Sequence, residues 1–588
     1  MFLTYIWQSR GLSGMDAQAR FSSALLKQLE TCKEAFGQPP SLKLKRLGNT
    51  FIGQIHYEPG VLGWDPWMDF GDTGITWDGV CEDFLGKKTD AREALKIINI
   101  LDSQPEKISA WEGMFAVAAW HENRVIIATA AAACPTLWHT EGKHGWAWGP
   151  KAGPLLEFTG QQPLPDKASL NLFLNYGYFL GGHSPFRNVS RLDSRLKIVL
   201  ENGEKPRTQS YISVGELLEG APEGAWDKKV SEAAGIIVRR VEAQLKHSDS
   251  PVVLLTGGRE SRSIVAAAGK TGLPFATTTG GPENSEDVKL ASQVAKTLKI
   301  GHGLSGGSAE MDLICRTTER LKLWARVSEG VLPLNYCLHL TDYLASRLPY
   351  PGRRRPVLHG SQPGIGRGLM YRDIEGRKLQ SMTLREARNV LVQKNPYLKP
   401  EPEADNQLQA VFAQVDSACE GMDVTADQWL DLFYIMKKSQ IWGLDVQSMY
   451  APVRWAWMPL YDKQVMRLGW KFTTEQKKSD RFFLEIAEHI QPSLKGIMCT
   501  GRDPVRVKLA DRIKGRVTNM ISGAHKKEIN RTDGGIRNLW NNALLGRNEN
   551  MWQEFIDRKD ILKLINISPQ NALLWRLVTV DFLAESFF

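Results

Sequence analysis

PVVLLTGGRESRSIVAAAGKTG, residues 251 to 272, is a short apolar run that ends in paired glycines and opens into an amphipathic stretch. An apolar run of strand length, bounded by a turn and followed by 3.6-residue periodicity, predicts a buried strand leading directly into a helix. Backbone N–H groups at the start of a helix point outward and attract anions. Gly257 and Gly258 let the backbone approach a phosphate closely and reach positive φ, and the hydroxyls of Thr256 and Ser261 could donate to phosphate oxygens. The turn also lies at the carboxyl end of a strand, where open α/β sheets bind ligands. Two glycines at such a turn are also common as a plain tight turn, so the flanking sequence has to decide.

Upstream, WDKKVSEAAGIIVRRVEAQLKH (226–247) has the spacing of an amphipathic helix. Downstream, PFATTTGG (274–281) reads as a second strand and SEDVKLASQVAKTLKI (285–300) as a second helix. Alternating strand and helix predicts a doubly wound parallel sheet. From Met1 to about Gln209, runs such as FIGQIHY and RVIIATAAAA alternate with Gly, Asp and Pro turns, which predicts a strand-rich region interrupted by one helix around Ala17 to Phe36. Gly, Glu and Pro accumulate between Asn202 and Asp227, a linker composition. The expected domains are therefore residues 1–215 and 220–588. The second carries a largely helical C-terminal part from Ala309 onward.

A chain of 588 residues exceeds what one core supports, in agreement with two or three units. Its seven cysteines, Cys32, Cys81, Cys134, Cys315, Cys337, Cys419 and Cys499, are scattered and form no CxxC pair. Neither a disulfide framework nor a zinc cage is expected. The opening MFLTYIWQSR lacks the form of a signal peptide, and no apolar run reaches membrane-spanning length. A cytoplasmic chain with no membrane partner is expected. The formal charge of +9 is modest for this length, and no nucleic-acid partner is expected. Between Gly501 and Arg531 nine Lys or Arg stand against three Asp or Glu, either a solvated helical face or a contact for a polyanion or leader peptide.

TGGRES resembles the S-G-G-x-D-S phosphate loop of the asparagine synthetase and β-lactam synthetase superfamily. TTTGGPENSEDVKLASQVAKTLKIGH (277–302) is similar to the segment that helps hold the adenylate there, which places Thr279 among the nucleotide contacts. Weaker likenesses extend to WEGMFAVAAWHENRVIIATAAAACPTLWH (111–139), MPLYDKQVMRLGWKF (458–472) and NALLWRLVTVDFLAESFF (571–588). The resemblance implies an α+β N-terminal Ntn-hydrolase-like sandwich and an α/β, adenine nucleotide α-hydrolase-like synthetase domain. It further implies ATP and Mg²⁺, with Thr256, Gly257, Gly258, Arg259, Glu260 and Ser261 around the phosphates and Glu260 as metal ligand.

The departures from that pattern are chemical. Phe2 stands where glutamine-dependent members carry a cysteine nucleophile, so no glutaminase is expected. Glu260 replaces the loop aspartate with an arm one methylene longer, against the strict octahedral demand of Mg²⁺. In HGSQPGIGRGLMYRD (359–373) Ser361 and Gly364 take the places of a tyrosine and an aspartate. Gly360 and Arg367 are still expected to line the site, Arg367 by holding phosphate or carboxylate bidentately, whereas Asp373 and Glu375 read as ordinary loop acids. Arg454 replaces a glutamate and Thr500 a catalytic lysine. Lys495 or Arg502 is then the replacement cation, with nothing in the sequence to choose between them.

The activity this implies is adenylation of a carboxylate, with AMP and pyrophosphate released, followed by attack of a substrate amine. The expected partners are a peptide or small-molecule carboxylate and amine, and a leader-peptide-processing protein. Lasso-peptide-like macrolactam or lactam formation is the specific form expected. The rival reading is a weakened homologue that serves as a peptide- or partner-binding scaffold. Trp442, Trp455, Trp457 and Trp470 read as core residues before substrate contacts.

Overall fold

The computed structural model describes residues 2–36, 41–56, 65–87, 89–201, 203–219, 224–248, 251–281, 283–305, 318–337, 356–361, 364–450, 455–500, 537, 539–546, 550–568 and 571–588. The N-terminal region forms two six-stranded antiparallel sheets. The first runs in the spatial order β10 (Val189–Arg191), β8 (Trp138–Gly142), β9 (Gly145–Gly149), β1 (Phe2–Ser9), β3 (Thr50–His56), β2 (Ser41–Leu47). The second runs β12 (Arg207–Ser210), β11 (Leu196–Leu200), β7 (Arg124–Thr129), β6 (Gly113–His121), β5 (Thr73–Cys81), β4 (Trp67–Asp69).

The period of two along β1 divides its side chains between two cores. Leu3, Tyr5 and Trp7 face the helices Gly14–Phe36 and Ala152–Thr159, where Trp7 stacks on Phe51 and Phe158 at 5.5 and 5.8 Å between ring centroids. Ile6 turns to the other side and joins Ile52, Trp120, Ile127 and Trp148 between the sheets. Helix Ala91–Ser103 covers the far face of the second sheet, giving four layers in the order helix, sheet, sheet, helix. β3 and β5 are buried throughout because both of their faces are covered.

This region holds more helix than the one segment its sequence suggests. Ala91–Ser103 carries its apolar groups at Ala94, Ile97, Ile98 and Leu101 and is capped by Asp90, whose side chain accepts from the Glu93 N–H. Ala152–Thr159 is apolar on nearly every face, and periodicity cannot separate such a segment from a buried strand.

The second region is built on a parallel sheet in the order β15 (His302–Ser305), β14 (Ala276–Gly280), β13 (Val252–Leu254), β16 (Val357–Leu358), β17 (Ala456–Trp457). The chain winds outward from β13 to β15, then returns to the other side of β13 with β16. The strand order thus reverses between β13 and β16. β16 and β17 have two residues each, too few to show any period in sequence. Helices Trp226–Lys246, Arg259–Thr271 and Glu286–Thr297 pack around the sheet.

The remaining C-terminal elements are mostly helical, and they do not all belong to this sheet. Helix Ala572–Phe587 packs Leu574, Leu577, Val578 and Phe582 into the same core as Leu170, Phe173 and Leu174 of the N-terminal region. Arg576 donates to the carbonyls of Leu174 and Asn175 at 2.8 and 2.9 Å. The buried Arg191–Asp445 pair, at 2.6 Å, joins the two regions, as does Arg240 through Glu82, Glu112 and Asp462. Trp455, Trp457 and Trp470 lie in the core, and Trp442 packs partly buried against it. Among the described residues no helix is long and apolar enough to cross a membrane.

Candidate functional site

TGGRES occupies the turn between β13 and helix Arg259–Thr271, at the carboxyl end of the central strand and beside the point where strand order reverses. Open α/β sheets leave a crevice there because the loops on either side depart in opposite directions. Gly258 caps the helix without a side-chain cap of its own, so the first-turn N–H groups have no intrahelical acceptor.

The turn is rigid. The Thr256 N–H donates to Ser261 Oγ at 3.1 Å, and the Gly258 N–H donates to Thr256 Oγ1 at 3.1 Å. The two hydroxyls lie 3.0 Å apart. The Gly257 N–H donates to Asp287 Oδ1 at 3.1 Å, and the Gly257 carbonyl accepts from the Thr500 N–H at 2.9 Å. The glycines are required by close approach: a Cβ on Gly257 would lie 2.5 Å from Thr500 Cγ2, and one on Gly360 would lie 2.8 Å from the Ser261 nitrogen. The loops after β13 and β16 and the 497–500 segment therefore converge. Arg262 clamps the last of these by donating to the carbonyls of Ile497 and Met498, each at 2.7 Å.

Around this turn is a cluster of charge. The buried Asp480 accepts from both arms of Arg367, at 2.5 and 3.0 Å, and from Arg372 at 2.8 Å, and it pairs with Arg259 at 3.3 Å. Arg367 also donates to Glu260. Arg367 is bidentate, as its expected role required, but toward Asp480. Burial works against the Arg367 charge, yet Glu260 and Asp480 hold its pKa above the ordinary value.

The side chains as placed do not fit magnesium. The Glu260 carboxylate is engaged by Arg367, and among the described residues no three His, Cys, Asp or Glu side chains converge on a metal site. At Gly364, the place of an aspartate in the family pattern, φ is +84° and a Cβ would lie 2.2 Å from two ring atoms of Tyr434. The tyrosine ring fills the space an acidic side chain would need. Asp373 and Glu375 are exposed loop residues.

The other expected residues separate. Thr279 lies near the turn, but its hydroxyl donates to the Leu255 carbonyl at 2.5 Å and is spent inside the sheet. Thr500 abuts Gly257 and offers only a hydroxyl there. Lys495 is exposed and lines a cavity of about 730 Å³ with Trp226, Glu485 and Glu488, to which none of the loop residues contributes. Arg454 and Arg502 lie outside the described residues.

Sequence reasoning missed Asp287, Asp480, Arg372 and Tyr434, which the fold brings to the turn and its charge cluster. Asp480 takes φ +56° at the end of helix Thr474–Ser479, a position with no motif around it. Tyr434 ends helix Ala426–Tyr434, which continues as the π-helix Ile435–Gly443. Such extra-wide turns are rare and frequent at functional sites.

At the other end of the molecule, Phe2 opens β1 opposite His56. Behind it Gln54 Nε2 donates to Thr76 Oγ1, the Trp77 carbonyl and Thr4 Oγ1 at 2.7, 3.0 and 3.2 Å, a polar network between the sheets. Cys32 is buried on helix Gly14–Phe36.

No protein-family model matches this chain, and no curated protein sequence does. Among solved structures it is similar to the allosteric regulatory enzyme of purine biosynthesis, at 11% identity over 64% of this chain and 77% of that one, with a TM-score of 0.24. It is also similar to glutamine phosphoribosylpyrophosphate amidotransferase from B. subtilis in complex with ADP and GMP, at 11% identity over 64% and 78%, TM-score 0.22. A third likeness is to NMN synthetase from Francisella tularensis, at 14% identity over 36% and 94%, TM-score 0.19. Scores this low carry no argument, and the site is read from its own geometry.

Proposed function

We propose that this chain is an ATP-dependent ligase that forms an amide from a carboxylate and an amine of a peptide or small-molecule substrate. The observation that supports it is the glycine turn at a strand-order reversal, where a helix N-terminus, two hydroxyls and a ring of arginines meet. In the first step a carboxylate oxygen bonds to the α-phosphorus of ATP as the bond to the β-phosphate oxygen breaks, releasing pyrophosphate. In the second the amine nitrogen bonds to the acyl carbon, the bond to AMP breaks, and the ammonium proton passes to solvent. The first-turn N–H groups and nearby guanidinium groups neutralise the leaving pyrophosphate, the charge that must be stabilised for the first step. Glu260 can join a metal carried by the nucleotide only by exchanging Arg367.

Without a cysteine at position 2 the amine comes from the substrate, which favours ring closure, as in macrolactam or lactam formation on a peptide natural product. A leader-peptide-processing protein is the partner this reading implies, and the cytoplasm the compartment. One observation favours the scaffold alternative: the amides of Thr256, Gly257 and Gly258 already have acceptors within the protein. Calorimetric titration with ATP, with and without Mg²⁺, separates the two. Saturable binding is expected, with AMP and pyrophosphate as products once a substrate is supplied. Absence of ATP binding under both conditions ends the ligase reading and leaves the scaffold.

A further inference from the structure

The charge cluster continues through Tyr434 to a cation that the reading above does not use. The Gly364 backbone lies against the Tyr434 ring, and the phenol responds electrostatically to both Arg367 and Glu260. Lys438, one turn further along, holds its ammonium 5.6 Å from the centroid of the same ring. It is half-buried, and among the described residues no carboxylate pairs with it. Its neighbour Lys437, by contrast, is fully inside and donates to Gln414 Oε1 at 2.5 Å. Burial holds both ammonium groups below the ordinary lysine range.

A half-buried ammonium with no counter-charge is costly unless something anionic meets it. The carboxylates of the charge cluster are already committed: Glu260 to Arg367, and Asp480 to three arginines. Lys495, the replacement cation suggested by sequence, points into a different cavity. We propose that Lys438, carried on the Tyr434 ring, is an anion-binding residue of the glycine-loop site and takes an oxygen of the pyrophosphate moiety of the bound nucleotide. The ring places the ammonium by cation–π attraction. Lys438 thus adds positive charge where the family pattern has a carboxylate at 364 and a metal.

This inference rests on the reading of the loop as a phosphate site, and one titration series separates the two. Inorganic pyrophosphate is titrated into the full-length protein in EDTA and again with Mg²⁺, for wild type, Lys438→Met, Lys438→Arg and Lys270→Met. Lys270 is exposed at the far end of helix Arg259–Thr271 and controls for loss of one positive charge. Binding by wild type in EDTA is expected, at least tenfold weaker in Lys438→Met, and near wild type in Lys438→Arg and Lys270→Met. If wild type binds neither pyrophosphate nor ATP, the phosphate-site reading itself falls. If wild type binds and Lys438→Met binds equally well, or weakens no more than Lys270→Met, only the role of Lys438 falls. Should Lys438→Met fail to fold, acetylation of wild type followed by peptide mapping serves instead. Pyrophosphate is expected to protect Lys438, and equal labelling with and without it overturns the proposal.

Discussion

The interior of the N-terminal sandwich and the crevice at the parallel sheet treat polar groups in opposite ways. Between the antiparallel sheets the polar groups are neutral: the Gln54 amide nitrogen donates to Thr4, Thr76 and a backbone carbonyl, while its Oε1 has no partner among the described residues. At the crevice, three arginines surround two carboxylates, so positive charge exceeds what the protein itself neutralises. Uncompensated charge costs stability and persists where a ligand offsets it. On the proposed function, the first region is structural and the second is the working site.

The largest expected effect breaks the crevice. Asp480→Ala leaves the buried Arg259 and the partly buried Arg367 without their shared acceptor, and removal of one partner from such a cluster typically costs about 3–5 kcal/mol. Chemical denaturation of the variant should register a loss of this order. A change below about 1 kcal/mol would mean that the arginines are solvated and that the cluster is not a built site.

The sandwich offers the next test, through pH. Asp78 lies fully inside, and burial raises its carboxyl to about 8, against the opposing effect of hydrogen bonds from the Thr4 and Gly79 backbone. A carboxyl whose folded pKa exceeds its unfolded value favours the native state while protonated. Its stabilising contribution is present below about pH 4 and is lost as pH rises toward 8. Asp78→Asn should flatten that slope and raise thermal stability at pH 8 by an amount on the order of a few kcal/mol. Parallel slopes for wild type and Asp78→Asn would show that the carboxyl is hydrated and ionised in the fold.

Glu260→Gln sharpens the comparison on the crevice side. It releases Arg367 from its pair, so pyrophosphate affinity in EDTA should rise severalfold, about 1 kcal/mol. A fall in affinity that appears only in the presence of Mg²⁺ would return Glu260 to the role of metal ligand. The smallest expected effect belongs to the sandwich again. Incubation with glutamine should release no ammonia above background, because Phe2 offers no nucleophile. Release blocked by a cysteine-directed reagent would overturn the structural assignment of this region.

Much of the parallel sheet was legible because its signals are local. PVVLLTGG and the periodic helices that follow carry strand, turn and helix within thirty residues, and no distant partner is needed to recognise them. The same locality explains the gaps. β16 and β17 are strands only because β13 lies beside them, and Asp480 is a site residue only because three arginines from two distant segments meet it. Ala152–Thr159 shows the converse, a helix whose burial on nearly every side erased the periodicity that would have revealed it.

The sequence by itself determined the glycine turn, the winding order of its first strands and helices, and the absence of a nucleophile at position 2. These follow from residue types and spacings within single segments. Tertiary structure alone decided that Glu260 faces Arg367, that the Tyr434 ring fills the space beside Gly364, that Lys438 meets that ring while Lys495 lines a separate cavity, and that the last helix packs on the N-terminal sandwich. The physical reason is range. Backbone preference and hydrophobic period act over a few residues, while charge pairing and steric exclusion act between any two groups that folding brings within a few ångströms.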